Sequence, residues 1–314
     1  MAEKEAVLVV CPGRGTYGKA ELGYLKRHHA DKAEPIGTFD RIRAERGQPT
    51  VSELDGAERF QTSLHTRGDV ASPLIFACSF ADFLAIDRSR FEVAAVIGNS
   101  MGWYSALAVG GAVGAEDGFR IIDAMGGNSQ AHARGGQLLL TVVGDDWRPV
   151  PGLREAILDL VAAIGARPGH ARHLSIDLGG MLVLAGDEAG LAALLDETPP
   201  TPGRAPMRLA GHGPFHTPLM RESSERARAA LAAGLVDRLE ADKLVERVSD
   251  PNDRRSVRAA LTAEGLRRHA EGVRILEEVE REVFAKLGEA ERDLLERLVQ
   301  LISPDTAPTP PPRS

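Results

Sequence analysis

Short apolar runs and helix-spaced apolar positions alternate along the first 134 residues. The continuous runs Ala6–Val10 and Val93–Ile97 have the length and flanking turns of buried strands. Residues 34–70 are polar and predict irregular structure, and Ser72-Pro73 predicts the start of a buried helix because serine and proline favour its first positions. The predicted helices are Lys19–His29, Leu74–Ile86, Met101–Val109 and Glu116–His132. This order predicts an α/β fold with a parallel sheet.

A second pattern occupies residues 135–210. Strands and helices follow one another there in the order βαββαβ, which is the order of a split ferredoxin-like unit. Its predicted elements are Gln137–Gly144, Leu153–Ile164, His173–Leu178, Met181–Ala185, Glu188–Leu195 and Pro206–Ala210. We therefore predict a small ferredoxin-like subdomain inserted into the larger α/β core.

The first candidate for chemistry lies where the second predicted strand meets a helix. The segment Gly98-Asn99-Ser100-Met101-Gly102 has the form G-x-S-x-G, typical of a sharp strand-to-helix turn that exposes a serine. Ser100 is the candidate nucleophile, and the backbone N–H of Met101 could stabilise an oxyanion at the helix N-terminus. The alternative is a structural turn whose serine only caps the helix.

A serine nucleophile needs a base, and the candidate lies downstream of it. Turn-forming residues 211–214 deliver His216 on a loop, and Thr217-Pro218 predicts a following helix to about Ala233. The order of serine before histidine is the one that hydrolase-like folds use.

Composition limits the other functional classes. The chain has 314 residues and a net charge of -7, which argues against general binding of nucleic acids or membranes. The glycine-rich turn at residues 11–16 matches neither the dinucleotide nor the P-loop spacing. Cys11 and Cys78 form no disulfide framework or metal motif. Without a signal peptide or a membrane-spanning run, we predict a cytoplasmic protein.

Four ordered segments together resemble the malonyl-CoA:acyl-carrier-protein transacylase family. They are the elbow at 98–102, Tyr104-Ser105-Ala106-Leu107, Pro12-Gly13-Arg14-Gly15, and Phe215-His216-Thr217-Pro218-Leu219-Met220. The resemblance covers residues 5–233 and implies an α/β-hydrolase-like core in residues 1–134 and 211–233, with the subdomain at 135–210.

This resemblance implies transfer of an acyl group from CoA to a carrier-protein thiol through an acyl-serine. Ser100 would attack the thioester while His216 takes its proton, and the oxyanion would rest on the amides of Met101 and Arg14. No metal or redox cofactor is called for; acyl-CoA and the phosphopantetheine of an acyl carrier protein are substrates.

Several positions depart from the family. Asn99 replaces its usual histidine and Arg14 its glutamine, and Met125 stands where malonyl-selective members have a carboxylate-binding arginine. Methionine cannot form that bidentate pair, which favours a neutral acyl group, whereas Phe215 resembles malonyl-selective members. Arg120 or Arg134 could substitute for the missing arginine, and otherwise both face solvent.

The sequence after Ala233 does not continue the resemblance to the transacylase family. The closing strands and Gly-Pro-Gly segment of the transacylase family are not visible after Ala233, which could impair activity. Residues 234–303 instead resemble the wing and C-terminal helices of MarR-type winged-helix regulators. That resemblance implies DNA contacts from Arg254 and Arg255, unless they form a salt-bridged hairpin tip, and a homodimer through helices ending near Ile302. Residues 304–314 are proline-rich and predict disorder.

Three functions remain open at this point. The leading one is an acyltransferase that moves malonyl or a neutral acyl group. A serine thioesterase or acyl hydrolase would use the same Ser100 and His216 with water as the acceptor. A non-catalytic DNA-binding regulator is the third.

Overall fold

A computed structural model describes residues 4–132, 134–201, 205–249, 257–271 and 273–274. The chain divides into two compact units, Met1–Leu231 and Ala232–Ser314. The first unit contains both candidate site residues and is described first.

A parallel pair of strands carries the helices of the α/β part. Within the described residues, β1 and β2 pair in parallel, from Glu5 opposite Phe91 to Cys11 opposite Gly98. The elements in order are β1 (Glu5–Cys11), α1 (Tyr24–His28), α2 (Ala33–Ala44), α3 (Val51–Asp55), α4 (Thr62–His65), α5 (Gly68–Leu84), β2 (Phe91–Gly98), α6 (Gly102–Val109) and α7 (Ala115–His132). The predicted α/β class with a parallel sheet is confirmed.

The prediction of irregular structure over residues 34–70 is wrong, because α2, α3 and α4 lie there. In α2, Ile36, Phe39 and Ile42 are buried at helical spacing, although polar residues surround them in the sequence. The start of α3 has a capping box between Thr50 and Glu53. Tertiary burial of a narrow apolar stripe therefore outweighs the polar composition.

Two predicted helix boundaries also need correction. The helix predicted from Lys19 begins only at Tyr24, since Gly23 has a φ of 80° that no right-handed helix can include. The long helix α5 begins at Gly68 and contains Pro73 in its interior. Proline has no N–H for the carbonyl four residues earlier, and that carbonyl, of Asp69, accepts a hydrogen bond from Arg43 Nη1 at 3.0 Å instead. This substitute bond allows the helix to start a turn early.

Helices α2, α5 and α7 enclose an aromatic core. Phe39 stacks on Phe119 with ring centroids 4.4 Å apart, and Phe76 meets both rings edge-on. Helices α5 and α7 approach closely at Gly68 and Gly126, where a built Cβ on Gly68 would lie 2.6 Å from the Gly126 carbonyl oxygen. The same two helices contribute Ser72, Ile122, Met125, Gly126, Asn128 and Ser129 to the lining of the cleft described below.

The opposite side of the parallel pair is not covered to the same extent. Leu8 and Val10 on β1 are 55% and 58% exposed, and Ile97 on β2 is also exposed. Parallel sheets are normally covered on both faces. Among the described residues, this face of the strand pair therefore lacks the usual full covering.

The second layer of the first unit is an antiparallel sheet. It consists of β3 (Gly136–Thr141), α8 (Leu153–Gly165), β4 (Arg172–Asp177), β5 (Met181–Gly186), α9 (Glu188–Glu197) and β6 (Met207–Arg208). Among the described strands the order is β4-β5-β3-β6, the ferredoxin-like arrangement. Its own apolar core is formed by Leu138, Leu140, Ile157, Ile164, Leu182, Leu184, Leu191 and Leu194.

The chain then continues in a helix longer than predicted. After a 3-10 turn at Pro218–Met220, α10 runs from Arg221 to Ala241 without the break expected near Ala233. In the second unit, β7 (Val245–Ser249) pairs antiparallel with β8 (Val257–Leu261). Thr262 Oγ1 then accepts from the Gly265 N–H at the start of the predicted helix after the hairpin.

Other predictions for the second unit lie outside the described residues. These are Arg254, Arg255, the final helix up to Ile302 and the tail 304–314. Among the residues that are described, no helix has both the length and the apolar content needed to cross a bilayer.

A buried ion pair joins α2 to α7. Arg43 and Asp123 are each about 1% exposed and are hydrogen bonded, and Arg46 reaches the second Asp123 oxygen at 2.8 Å. Removing one partner of such a pair leaves a buried charge without compensation.

We expect Asp123→Asn to lower the free energy of unfolding by about 3 kcal/mol or more, because Arg43 keeps its charge in the core. Urea denaturation measures this loss. Asp177→Asn, which removes an exposed pair with Arg154, is the matched control and should cost much less. Equal losses in the two variants would contradict the assignment.

Candidate active site

The elbow between β2 and α6 places Ser100 in a strained backbone conformation. Its φ is 53°, in the left-handed region that non-glycine residues rarely adopt. The glycines on both sides leave no space for a side chain. A built Cβ on Gly98 would lie 2.3 Å from the Trp103 nitrogen, and one on Gly102 would lie 2.1 Å from the Cys11 carbonyl oxygen. Strand and helix can therefore meet only with glycine at both positions.

His216 lies opposite Ser100 on the loop after β6. Its Nε2 is 2.7 Å from Ser100 Oγ, although the two residues are 116 positions apart. The backbone of His216 is also in the left-handed region, with a φ of 57°. Non-glycine residues in this region cluster at functional sites, where the surrounding structure holds them.

Burial lowers the pKa of His216 below its ordinary value of 6.5. Its imidazole is therefore neutral at pH 7, and a neutral Nε2 can accept a proton from a hydroxyl. Within the described residues, Nδ1 of His216 has no hydrogen-bond partner. Ser100 and His216 therefore form a hydrogen-bonded pair, which is the candidate dyad of this site.

Two backbone N–H groups next to Ser100 are candidates for oxyanion donors. Among the described residues, the N–H groups of Met101 and Arg14 have no protein acceptor. The turn after β1 packs against the elbow, since a built Cβ on Gly13 would lie 3.5 Å from Ser100 Cβ. Free donors beside a serine hydroxyl are the arrangement that stabilises a tetrahedral oxyanion.

The Arg14 side chain has a structural role that the sequence did not reveal. Its Nη2 donates to the carbonyl oxygens of Thr66 at 2.8 Å and Gly211 at 2.7 Å. The guanidinium carbon lies 5.2 Å from the centre of the Phe215 ring. Burial lowers the pKa of Arg14 to about 10, a shift that the charge of Asp69 partly opposes. Arg14 therefore joins three separate loops while remaining charged.

The dyad opens into a cleft of about 900 Å³. Met125 and Phe215, two of the predicted substrate contacts, line it together with Arg14. The other lining residues are Ser72, Ser100, Met101, Trp103, Tyr104, Ile122, Gly126, Asn128, Ser129, His216, Thr217, Pro218, Met220, Arg221, Ser223, Ser224, Glu225 and Arg228. A cleft of this size is within the range of small-molecule binding sites.

Asn99 and Arg120, two of the predicted substrate contacts, are not among the residues that line this cleft. The Asn99 N–H joins the elbow to the Cys11 carbonyl oxygen at 3.0 Å. Arg120 donates to Glu116 at 2.7 Å on the same helix. Arg134, the other proposed substitute for the missing arginine, is exposed and also lies outside the lining.

The antiparallel sheet contributes polar residues that the sequence analysis missed. Gln137 on β3 and Ser175 on β4 both contact the backbone carbonyl of Phe215, and His212 contacts Gln137. These residues are far apart in sequence and belong to no local motif. Only the three-dimensional pairing of the strands brings them together.

The chain is similar to known proteins in both sequence and structure. No family model matches the chain. A phenolphthiocerol synthesis polyketide synthase type I Pks15/1 from Mycobacterium marinum is 27% identical over 221 residues, which is 69% of this chain. The chain spans only 10% of the length of that relative.

Solved structures match over about three quarters of the chain. A malonyl-CoA:acyl carrier protein transacylase from Xanthomonas oryzae has a TM-score of 0.58 at 22% identity, covering 74% of this chain and 70% of that one. The enzyme from Synechocystis gives 0.54 at 21%, with coverage of 74% and 70%. A malonyl transacylase in complex with its type II polyketide synthase acyl carrier protein gives 0.57 at 16%, with coverage of 73% and 70%.

The chain has the transacylase fold. None of these comparisons supports the predicted MarR-type resemblance of residues 234–303.

His212 is the most strongly shifted histidine near the dyad. Burial, with a smaller contribution from the Arg14 charge, lowers its pKa to about 4. Between pH 6.5 and 4 the unfolded chain therefore binds a proton that the folded chain does not, so folding stability falls as the pH falls.

We expect the free energy of unfolding to decrease by on the order of 3 kcal/mol through His212 between pH 6.5 and pH 4. His212→Asn, which keeps a side-chain donor, should remove this part of the pH dependence. Denaturant titrations at several pH values measure it, with exposed His28→Asn as the control. An unchanged slope in His212→Asn would contradict the assignment.

Proposed function

We propose that this chain is a serine acyltransferase that transfers an acyl group from CoA to a carrier-protein thiol. The main support is the 2.7 Å contact between Ser100 Oγ and His216 Nε2, two residues that line the cleft. Both residues are held in a strained conformation, and the fold is that of the malonyl-CoA:acyl carrier protein transacylases. Ser100 acts as the nucleophile and His216 as the base.

In the first half-reaction, His216 Nε2 takes the proton of Ser100 as Oγ attacks the thioester carbon. The carbonyl oxygen becomes an oxyanion, which the N–H groups of Met101 and Arg14 stabilise. The carbon–sulfur bond then breaks, and His216 returns the proton to the leaving CoA thiolate. The product is an acyl ester of Ser100.

In the second half-reaction, the thiol of a phosphopantetheine group gives its proton to His216 and attacks the ester carbon. The bond to Ser100 Oγ breaks and the serine recovers the proton. We propose an acyl carrier protein as this acceptor. One structural neighbour has been solved in complex with an acyl carrier protein, and the relative from Mycobacterium marinum is a polyketide synthase. No cofactor takes part in either step, and a cytoplasmic location stays a prediction.

A DNA-binding role for the second unit is the alternative. The antiparallel β7–β8 hairpin favours it, because a hairpin followed by a helix has the order of a wing and its next helix. Under this alternative Arg254 and Arg255 contact phosphates, and the C-terminal helices pair two copies of the chain.

Intact-mass measurement tests the proposal. Incubation with malonyl-CoA or acetyl-CoA should produce an acyl adduct that is absent from Ser100→Ala and retained in Ser224→Ala, a matched serine of the cleft lining. His216→Ala should slow adduct formation by about 100-fold or more.

The fate of the adduct separates the functions. Removal by a carrier protein supports transfer, and CoA release without a carrier indicates an acyl hydrolase. Failure to form an adduct with any thioester, combined with salt-sensitive binding of duplex DNA, would favour the regulator.

A second experiment examines the acyl group. We expect Met125→Arg to raise the ratio of malonyl to acetyl loading by about tenfold or more, because arginine adds a charge-assisted pair with the free carboxylate. Competition between the two CoA esters, read as adduct masses, measures the ratio. Arg120→Met, outside the cleft, is the control. An unchanged ratio in Met125→Arg would show that position 125 does not contact the acyl end.

A further inference from the structure

The backbone carbonyl just before His216 is fixed by another layer of the fold. The Phe215 oxygen accepts hydrogen bonds from Ser175 Oγ at 2.9 Å and from Gln137 Nε2 at 3.4 Å. This carbonyl belongs to the planar peptide unit that carries the His216 nitrogen. Holding the carbonyl therefore limits rotation of the backbone from which the imidazole projects.

The hydrogen bonds of Gln137 with Ser175, His212 and the Phe215 carbonyl are consistent with only one orientation of the Gln137 amide. Gln137 Nε2 also donates to Ser175 Oγ at 2.7 Å, and Gln137 Oε1 lies 2.9 Å from His212 Nδ1. Rotating the amide by 180° would place Oε1 against the Phe215 oxygen, where neither atom can donate. The orientation of Gln137 therefore requires that His212 carries its proton on Nδ1.

The strands hold these side chains on a rigid base. Gln137 is 2% exposed on β3, which pairs with β5 on one side and β6 on the other. Ser175 lies at an irregularity of β4, between Leu174 opposite Leu184 and Ile176 opposite Val183. A bulge redirects one side chain out of the regular alternation. Here that side chain is the hydroxyl that contacts Phe215.

The dyad needs such support from the backbone. In serine–histidine sites a third group commonly orients the imidazole through its second nitrogen. In the part of the chain that the structure describes, His216 Nδ1 has no such partner. The strained φ of 57° must therefore be maintained by contacts of the loop itself.

We propose that Gln137, Ser175 and His212 form a positioning network that holds His216 in reach of Ser100. The three residues act through the Phe215 carbonyl and touch neither substrate nor the reacting atoms. The network takes the place of a group on His216 Nδ1, and the proposal rests on the acyltransferase function proposed above. It also gives the antiparallel sheet a direct part in the reaction.

The variants are chosen to change hydrogen bonding with little change in volume. Ser175→Ala removes one donor to Phe215, and Ser175→Thr restores a hydroxyl. Gln137→Glu replaces the Nε2 donor with a carboxylate oxygen. Gln130→Glu is the matched control, since Gln130 accepts from the Gly68 N–H through Oε1 and glutamate can also accept there.

The first readout is the single-turnover rate of Ser100 acylation at varied acyl-CoA. We expect Ser175→Ala and Gln137→Glu to lower the maximal rate about tenfold or more, because misplacement of the base slows proton transfer. The half-saturating concentration should stay within about twofold, and Ser175→Thr and Gln130→Glu should stay within about threefold of the parent rate.

The second readout does not depend on turnover. NMR titration of ¹⁵N-labelled histidines reports the pKa of His216, which burial lowers in the parent protein. Loss of the hydrogen bonds to the Phe215 carbonyl should expose His216 to water. We therefore expect its pKa to rise toward 6.5 in Ser175→Ala and Gln137→Glu but not in Gln130→Glu. Melting temperatures identify any general loss of structure.

The outcomes are distinguishable. Unchanged rates and an unchanged His216 pKa in Ser175→Ala would overturn the network. So would rate losses that follow the melting temperature alone and occur equally in Gln130→Glu. If the parent protein forms no acyl adduct, the acyltransferase proposal fails, and the NMR titration still decides whether the network positions His216.

Discussion

The contact between Ser100 and His216 depends on two left-handed backbone conformations, and each has a cost of about 1–3 kcal/mol. At Ser100 the strained conformation is maintained by local packing, because the strand and the helix that flank it approach each other closely at Gly98 and Gly102. The loop that carries His216 is held by both local and distant contacts. The Phe215 N–H donates to the Gly213 carbonyl at 2.8 Å and Thr217 Oγ1 donates to the Pro214 carbonyl at 2.6 Å, while the Phe215 carbonyl accepts from Ser175 and Gln137.

The fold therefore brings three distant segments to one place. The turn after β1 carries Arg14, the elbow carries Ser100, and the loop after β6 carries His216. Arg14 links the first to the third by donating to the Gly211 carbonyl. Gly211 itself approaches Thr66 so closely that a built Cβ would lie 2.1 Å from the Thr66 oxygen. Small changes in the packing of either loop would thus alter the dyad distance, although neither loop belongs to the elbow.

The sequence predicted features that depend on local rules, and it missed those that depend on distant partners. The G-x-S-x-G elbow and the βαββαβ order are local patterns, and both the elbow and the ferredoxin-like sheet are present. The early start of α5 was not predictable, because it requires the side chain of Arg43 to satisfy the carbonyl that Pro73 leaves unpaired. The same applies to Gln137 and Ser175, whose partner Phe215 lies 78 and 40 residues away.

The charge distribution in the cleft follows from the same arrangement. The family resemblance implied a cation on α7, but Met125 occupies that position. The half-buried Arg14 lies at the turn after β1, and the exposed Arg221 and Arg228 also line the cleft. With a pKa of about 10, Arg14 stays protonated at pH 7, yet its Nη2 already donates to two carbonyl oxygens. An acyl carboxylate would have to compete with both bonds and with the Phe215 ring. An uncharged acyl chain against Met125 meets no such competition, so the side of the cleft at Met125 is the less demanding place for the acyl group.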